Sequence, residues 1–179
     1  VSNQAFEDQY AFRPSGSTTS AIIAIMNAIT SNLQESRYTQ VLALDFSKAF
    51  DTVSHLALFT KLSQLDVPCE IHNWLIDFFN NRSQTSKFKN KQSKVTTINA
   101  GVIQGSALGP VAFSKVASDL TASVPGNRII KYADDTYVIV PSHNMSTTST
   151  EIANIRTWAD KNNLQLNETK TKEIVFAKK

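Results

Sequence analysis

The sequence predicts an α+β fold with a βαββαβ core, in which an antiparallel sheet carries its helices on one face. From residue 40 onward, short runs of β-branched residues alternate with longer stretches whose apolar residues recur at helical spacing. Two of the short runs, residues 129–130 and 137–140, lie close enough to predict a tight hairpin. Residues 172–176 alternate and supply a last strand. This order of elements is the ferredoxin-like pattern.

The composition is that of an ordinary globular protein with one sizeable core. The chain has 179 residues, of which 41% are hydrophobic and 18% charged, and its formal net charge is +3 at pH 7. That excess is compatible with polyanion binding but too small to establish it. Cys69 is the single cysteine, so a disulfide framework is excluded and a reducing, intracellular compartment is favoured, either nucleus or cytoplasm. No apolar run approaches the ~18 residues of a membrane span, so we expect no membrane association.

A helix is predicted before the core. Ser17 or Thr18 can cap it, and its apolar face is expected to pack in the core through Ile22, Ile25, Met26, Ile29 and Leu33. Arg13 lies just before this helix. It is interpreted equally well as a phosphate-binding residue or as a partner in a surface ion pair.

The first core strand is predicted at residues 40–46, and Asp45 lies at its end. A carboxylate at the end of a buried strand is a frequent position for ligand chemistry. Asp51 is interpreted as a helix cap, because a helix with apolar residues at helical spacing follows it. Pro68 is expected to open the next helix.

Two strands are then predicted at residues 84–89 and 94–98, about a polar turn at residues 90–93. This hairpin contains the densest basic cluster of the chain, formed by Arg82, Lys87, Lys89, Lys91 and Lys94. A solvated edge hairpin and contact with a nucleic-acid backbone explain the cluster equally well.

Residues 101–110 contain three of the five glycines and lead into a predicted helix. A loop of small residues lets a ligand approach the backbone closely, but these residues match neither a phosphate-binding P-loop nor a dinucleotide fingerprint. Residues 142–150 are predicted to be a mobile polar loop, and residues 151–162 a helix with Ile152, Ile155 and Ala159 facing inward.

Asp134 and Asp135 lie at the turn of the predicted hairpin. Alone, the pair is explained by the preference of aspartate for turns. In a βαββαβ sheet, however, the first strand and the middle hairpin are neighbours, which brings Asp45 beside them. Three carboxylates at one sheet edge repel each other unless a cation neutralises them, and Mg²⁺ prefers such oxygen ligands. Two Mg²⁺ ions about 3.5–4 Å apart support an in-line phosphoryl displacement.

The residues that carry these acids resemble the central palm motifs of reverse transcriptases, in particular those of Jockey-type non-LTR (LINE-like) retrotransposons. The three motifs are LDFSKAFD at residues 44–51, QGSALGP at 104–110 and YADD at 132–135. QYAFRP at residues 9–14 is similar to the fingers motif, and LNETKT at residues 166–171 to the next palm motif. The resemblance covers nearly the whole chain, with the motifs in order.

The resemblance implies a role for each matching residue. Asp45, Asp134 and Asp135, with the backbone carbonyl of Phe46, would hold two Mg²⁺ ions, for which Mn²⁺ can substitute. The ring of Phe50 would exclude a 2′-hydroxyl and so select deoxynucleotides, with core packing as the alternative explanation. The remaining implied roles are lining the nucleotide site by Gln104 and Gly105, triphosphate contact by Arg13, and general acid catalysis by Lys170.

The resemblance also implies an RNA-directed DNA polymerase, a nucleotidyltransferase in which a primer 3′-hydroxyl attacks the α-phosphate of a dNTP. Residues 1–39 would be part of the fingers and residues 40–179 the palm of a single reverse transcriptase domain. An RNA template, a DNA primer and dNTPs are the expected partners. The thumb and endonuclease regions would lie elsewhere in the same polyprotein, so the isolated fragment is expected to be inactive.

Two other functions are compatible with the same residues. An RNA-dependent RNA polymerase palm would share the topology and metals, although Ala133 replaces the glycine usual before its aspartates and Phe50 favours dNTPs. An inactive or domesticated palm would serve as a nucleic-acid-binding scaffold. The three intact aspartates argue against that second alternative.

Overall fold

The computed structural model describes residues 6–178. Residues 1–5 of the predicted fingers segment and Lys179 of the predicted palm segment therefore lie outside the described residues. The helices are α1 (Thr18–Glu35), α2 (Ala49–Thr52), α3 (His55–Leu62), α4 (Cys69–Phe79), α5 (Leu108–Ala117) and α6 (Thr148–Lys161). The strands are β1 (Tyr38–Leu44), β2 (Ser83–Gln84), β3 (Lys87–Phe88), β4 (Lys91–Gln92), β5 (Thr96–Thr97), β6 (Arg128–Tyr132), β7 (Asp135–Pro141) and β8 (Lys172–Ala177).

Four strands form the central sheet in the order β6-β7-β1-β8, and every neighbouring pair is antiparallel. With the short strands β2 to β5 treated as an insertion, the elements follow the predicted βαββαβ order. The predicted α+β fold class is confirmed. Within residues 6–178, no helix is both long and apolar enough to cross a bilayer.

The sheet buries apolar side chains on both faces because successive strand residues point in opposite directions. Leu42, Leu44 and Val138 pack in one cluster with residues of α3, α5 and α6. Val41 and Ile139 pack in a second cluster with residues of α1. The helices of the βαββαβ core thus share one face, as predicted, and α1, which precedes the core, covers the other.

Helix α1 begins as predicted but buries a different stripe. Ser17 caps it through a reciprocal pair of hydrogen bonds with Ser20, 3.0 and 2.8 Å long. The buried residues are Ala21, Ala28 and Ile29, whereas Ile22 and Met26 are 60% and 46% exposed. The prediction that the whole Ile22-to-Leu33 stripe packs in the core was therefore wrong. Alanines at the contact let the helix approach the sheet closely, and apolar spacing alone does not show which of two adjoining stripes is inside.

The basic hairpin is shorter and more irregular than predicted. It divides into two exposed ladders, β2 with β5 and β3 with β4, instead of two continuous strands. The side chain of Ser93 accepts a hydrogen bond from the Ser86 N–H at 2.9 Å, and Thr85 donates to the Ser93 carbonyl at 3.0 Å. Together with the backbone bond from the Ser93 N–H to the Ser86 carbonyl at 2.9 Å, these side-chain bonds join the two ladders in the middle of the hairpin. Its exposure is compatible with both explanations of the basic cluster.

The prediction that residues 142–150 form a mobile loop is wrong. Residues Ser142–Thr147 form a 3₁₀ helix that leads directly into α6. Asn144 donates to the Pro125 carbonyl at 2.9 Å and to the side chain of Asn127 at 3.0 Å. These contacts with the preceding loop give the Ser- and Thr-rich segment a fixed conformation that its composition does not reveal.

Glu151 in the first turn of α6 is fully buried and anchors the loop before β6. Its carboxylate accepts hydrogen bonds of 2.9–3.0 Å from Ser123, Val124 and Asn127. Burial by itself would raise the pKa of the Glu151 carboxyl, but these hydrogen bonds outweigh it and keep the pKa below its ordinary value of 4.5.

We therefore expect Glu151 to make the free energy of unfolding depend on pH. Because the folded-state pKa is lowered, its contribution is complete above about pH 4.5 and is lost as the pH falls through the folded-state value. Replacing Glu151 with glutamine should lower the free energy of unfolding by about 2 kcal/mol at neutral pH, since its amide N–H₂ would face the N–H and O–H groups that now donate to the carboxylate. It should also make the free energy of unfolding less dependent on pH in the acid range. Urea unfolding at a series of acid pH values measures both effects, with Glu173→Gln, at an exposed position, as the control. The same pH dependence in the wild type, Glu151→Gln and Glu173→Gln would contradict this expectation.

Candidate active site

The turn of the β6–β7 hairpin lies beside the end of β1. The last paired residues of β1 and β7 are Leu44 and Thr136. Continuing this register by one and two places sets Asp45 across from Asp135 and Phe46 across from Asp134. Since Val41 and Ile139 point to the α1 side of the sheet, alternation directs Asp45 and Asp135 to that same side. Two of the three predicted acids therefore share one face at one sheet edge.

The carboxylates are electrostatically coupled. Partial burial, followed by the negative charges of Asp134 and Asp45, raises the pKa of the Asp135 carboxyl above its ordinary value. The pKa of Tyr137, the next residue on that side of β7, is raised by burial and by the charge of Asp135. This edge of the sheet consequently has a negative potential that favours a cation.

Asp45 is fixed through its backbone, while one oxygen of its side chain has no hydrogen-bond donor among residues 6–178. Its carbonyl accepts a hydrogen bond from the Asn167 N–H at 2.8 Å. Its Oδ2 atom is buried and accepts no hydrogen bond within residues 6–178, and Lys170 Nζ lies 3.7 Å away. A buried carboxylate oxygen without a hydrogen-bond donor is costly unless a cation compensates it.

The backbone carbonyl of Phe46 is directed toward the β6–β7 hairpin. Phe46 forms an isolated antiparallel bridge with Leu166, and the two flanking hydrogen bonds join Ser47 to Gln165 and Asn167 to Asp45. In this pattern the N–H and C=O of Phe46 itself turn away from Leu166, toward the hairpin. None of the hydrogen bonds found within residues 6–178 has this carbonyl as its acceptor.

These oxygen atoms suit a divalent cation as ligands, but they do not surround a single point. Within residues 6–178, no group of three or more histidine, cysteine or acidic side chains is arranged to hold a metal ion. Asp45 pairs with Lys170 instead. The unsatisfied Asp45 oxygen, the uncommitted Phe46 carbonyl and the hairpin acids are all hard oxygen ligands, the type that Mg²⁺ prefers.

Lys170 is 68% exposed and extends over the edge of the sheet from the turn before β8. An exposed ion pair of this kind stabilises a fold by little, so its contact with Asp45 leaves the ammonium free to exchange partners. Its implied role as a general acid stays a prediction.

Phe50 is half-buried. Its ring stacks on Phe113, with centroids 4.6 Å apart and an interplanar angle of 18°, and its carbonyl accepts a hydrogen bond from the Val102 N–H at 2.7 Å. One side of the ring thus belongs to the core, so packing accounts for part of its role. The same contacts hold the ring in one place, which a steric gate requires.

Gln104 and Gly105 lie in an exposed turn of the glycine-containing loop. Gln104 Nε2 donates a hydrogen bond to Asp51 Oδ1 at 2.9 Å, and Gly105 has a φ of +83°, which favours glycine. The interpretation of Asp51 as a helix cap was wrong. Ser54 caps α3 instead, accepting a hydrogen bond from the Ala57 N–H at 3.3 Å.

A groove of about 690 Å³ lies beside these residues rather than at the carboxylates. Its lining includes Lys48, Asp51, Arg82 and Gln104. Arg82 belongs to the basic cluster for which nucleic-acid contact was one explanation, and Lys48 lies within the motif at residues 44–51, but neither was assigned a role in the nucleotide site. The groove is large and polar enough to admit a nucleotide-sized ligand.

Arg13 is held by the segment that precedes α1. Its Nη1 donates to the Phe6 carbonyl at 2.7 Å, and its guanidinium lies 4.6 Å from the centre of the Tyr10 ring. Its Nε is buried without a partner among residues 6–178, and no salt bridge of Arg13 is present among them. The ion-pair interpretation thus gains no support here, and triphosphate contact stays a prediction.

Gln9 and Lys131 attach the segment before α1 to the β6–β7 hairpin. Neither was assigned a role from the sequence. Gln9 is 1% exposed; its Oε1 accepts from the Ala133 N–H at 2.9 Å and its Nε2 donates to the Ala133 carbonyl at 3.2 Å. Ala133 has a φ of +57°, a left-handed conformation that costs about 1–2 kcal/mol for a residue with a Cβ. Two hydrogen bonds of about 0.5–1.5 kcal/mol each are enough to offset that cost.

Lys131 is fully buried on β6. Its Nζ donates to the carbonyls of Ala117 and Leu120 at 2.7 and 2.8 Å and pairs with Asp8 Oδ2 at 2.9 Å. Burial lowers the pKa of Lys131, and the charge of Asp8 opposes that shift. The backbone of Lys131 also bonds to Asp8 and Tyr10, so this lysine joins the N-terminal segment, the sheet and the end of α5.

Comparison with known proteins identifies the family. The sequence profile of the family described as "Reverse transcriptase (RNA-dependent DNA polymerase)" matches residues 1–178. The chain is 28% identical to the "RNA-directed DNA polymerase from mobile element jockey" of Drosophila melanogaster, over 94% of this chain and 20% of that protein. It is 27% identical to the "Probable RNA-directed DNA polymerase from transposon X-element" of the same species, over 97% of this chain and 20% of that protein. The chain thus spans about a fifth of the length of these relatives, and the predicted Jockey-type resemblance is confirmed.

Solved structures share the fold. Telomerase of Candida tropicalis in complex with a fragment of telomeric RNA superposes with a TM-score of 0.75 at 13% identity, over 97% of this chain and 31% of the telomerase chain. The apo form of that telomerase gives a TM-score of 0.69 at 13% identity, over 95% and 33% of the two chains.

Proposed function

Because the chain belongs to the reverse transcriptase (RNA-dependent DNA polymerase) family, we propose that it carries the nucleotidyl-transfer centre of an RNA-directed DNA polymerase from a non-LTR retrotransposon. The observation that carries this proposal is the β1–β7 register, which continues to Asp45 opposite Asp135 at the sheet edge. In this proposal residues 1–39 are part of the fingers and residues 40–179 are the palm. The thumb and endonuclease regions belong to the rest of the polyprotein.

Asp45, Asp134 and Asp135, with the Phe46 carbonyl, are proposed to hold two Mg²⁺ ions. Paired divalent ions activate an attacking oxygen and stabilise a leaving one, and Mn²⁺ can take their place. The buried, unsatisfied Oδ2 of Asp45 and the raised pKa of the Asp135 carboxyl support this assignment.

The nucleotide is proposed to lie between the carboxylates and the glycine-containing loop. The ring of Phe50 would exclude a ribose 2′-hydroxyl, while Gln104 and Gly105 line the site. Arg13 would contact the triphosphate, and Lys170 would donate a proton to the leaving pyrophosphate. The exposure of Lys170 and its position 3.7 Å from Asp45 Oδ2 support a role at the leaving group.

The test is primer extension by the full-length protein on poly(rA) with an oligo(dT) primer. We expect dTTP incorporation that needs both template and Mg²⁺, stops when a chelator is added and is lost in Asp134→Asn. A preference for UTP over dTTP would identify an RNA polymerase instead. Tight binding of the template without extension, in Mg²⁺ and in Mn²⁺, would identify a nucleic-acid-binding scaffold.

A further inference from the structure

We infer that Gln9 is a positioning residue whose side-chain amide holds the turn that carries Asp134 and Asp135. This inference rests on the proposed function, because it concerns the geometry of the carboxylates. It assigns a role to a residue of the N-terminal segment that lies 124 positions from the turn in sequence.

The contact is a two-point clamp on one residue. The Gln9 amide accepts from the N–H of Ala133 and donates to its carbonyl, so both backbone polar groups of Ala133 are bound to one side chain. The glutamine amide offers a donor and an acceptor side by side. A glutamate would face the Ala133 carbonyl with an oxygen, and a methionine would satisfy neither group.

Gln9 is itself held rigidly, so it can determine the position of the turn. Its Oε1 also accepts from the Ala11 N–H at 3.0 Å. On either side of it, Asp8 and Tyr10 form backbone hydrogen bonds with Lys131. The amide is therefore fixed by the sheet on one side and binds the turn on the other.

Ala133 is the residue whose conformation sets the direction of the acids. It has a φ of +57° and directly precedes Asp134, in a turn that joins β6, ending at Tyr132, to β7, beginning at Asp135. Alanine prefers negative φ. If the clamp is removed, Ala133 can return to that region, and the Asp134 carboxylate then moves relative to Asp45.

The experiment compares Gln9→Met with Gln40→Met in the full-length protein. Gln40 is a matched control because it is also a buried glutamine, bonded to Thr148 at 2.6 Å and paired with Val140, at the end of the hairpin away from the turn. The readouts are kcat for primer extension, the Mg²⁺ concentration for half-maximal rate, Tm, and hydrogen exchange of peptides that contain residues 133–135.

We expect Gln9→Met to lower kcat by about 10- to 100-fold, the effect of losing two hydrogen bonds that position a catalytic group. It should also raise the Mg²⁺ requirement several-fold and speed exchange at residues 133–135. Gln40→Met should lower Tm with little change in the other readouts. Adding Ala133→Gly to Gln9→Met should restore much of the activity, because glycine adopts positive φ without strain.

Two results would overturn the inference. One is exchange at residues 133–135 that is unchanged in Gln9→Met, since the clamp would then not hold the turn. The other is a pair of glutamine variants with equal kcat and Mg²⁺ dependence, which would make Gln9 a purely structural residue. Failure of the proposed function is seen separately: the wild type would then fail to extend the primer with dTTP, or Asp134→Asn would retain wild-type activity, whatever the exchange data show.

Discussion

Replacing Asp45 with asparagine should lower RNA-directed primer extension by roughly a thousandfold or more, the scale seen when a group that acts only in the transition state is removed. Asparagine keeps the shape of the side chain but loses the charge that would hold the proposed cations. The measurement is single-turnover dTTP incorporation on poly(rA) at saturating Mg²⁺, in the full-length protein.

The fold should survive this change, so the loss can be assigned to chemistry. The carbonyl of Asp45, rather than its carboxylate, bonds to Asn167, and that contact persists in the variant. Asp45 also contributes to the raised pKa of the Asp135 carboxyl, so removing its charge relieves repulsion between them. Tm should therefore equal or exceed that of the wild type.

Asp77→Asn is the matched control, because Asp77 is an exposed aspartate on α4. It should extend primers at the wild-type rate. A rate for Asp45→Asn within about tenfold of the wild type would contradict the proposal, since the remaining acids alone would then suffice for the chemistry.

The approach of Asp45 to the hairpin acids was predictable because it depends on the order of the strands and on the alternation of side chains between the two faces of a strand. Once β1 and the hairpin strands are recognised, the βαββαβ order makes them neighbours. Register then decides which residues face each other. These are properties of short apolar runs, which the sequence displays directly.

The parts that could not be predicted depend on contacts between distant segments. Lys131 lies between Ile130 and Tyr132, and its charge suggests an exposed position, but it is fully buried through Asp8 and two carbonyls at the end of α5. The Gln9 clamp spans 124 positions. Neither local propensity nor periodicity contains information about such partners.

Other errors came from choosing between near-equivalent local patterns. Asp51 and Ser54 are both good helix caps, and only the path of the chain after α2 decides for Ser54. The apolar residues of α1 form two adjoining stripes, and the sheet selects the one with alanines. The Ser and Thr side chains that interrupt the basic hairpin were visible, but their bonds to the backbone were not.

Phe50→Val should increase the efficiency of UTP incorporation relative to dTTP on the order of 100-fold, a discrimination typical of a steric contact with one small group. The wild-type ring stacks on Phe113, and the backbone of Phe50 accepts a hydrogen bond from the Val102 N–H. We expect this packing to keep the ring from moving aside for a 2′-hydroxyl. Valine would leave room for that hydroxyl. The ratio of kcat/KM values for the two nucleotides, measured on one primer–template, gives the effect.

The packing role of Phe50 requires a control that loses a similar contact elsewhere. Phe59 on α3 is also half-buried against the same core cluster, so Phe59→Val should lower Tm by a comparable amount and leave the nucleotide ratio unchanged. If both variants lower Tm and neither changes the ratio, Phe50 is a packing residue and discrimination arises elsewhere. If only Phe50→Val changes the ratio, the stacked ring contributes to both stability and substrate choice, because the contact with Phe113 that stabilises the core also fixes the gate.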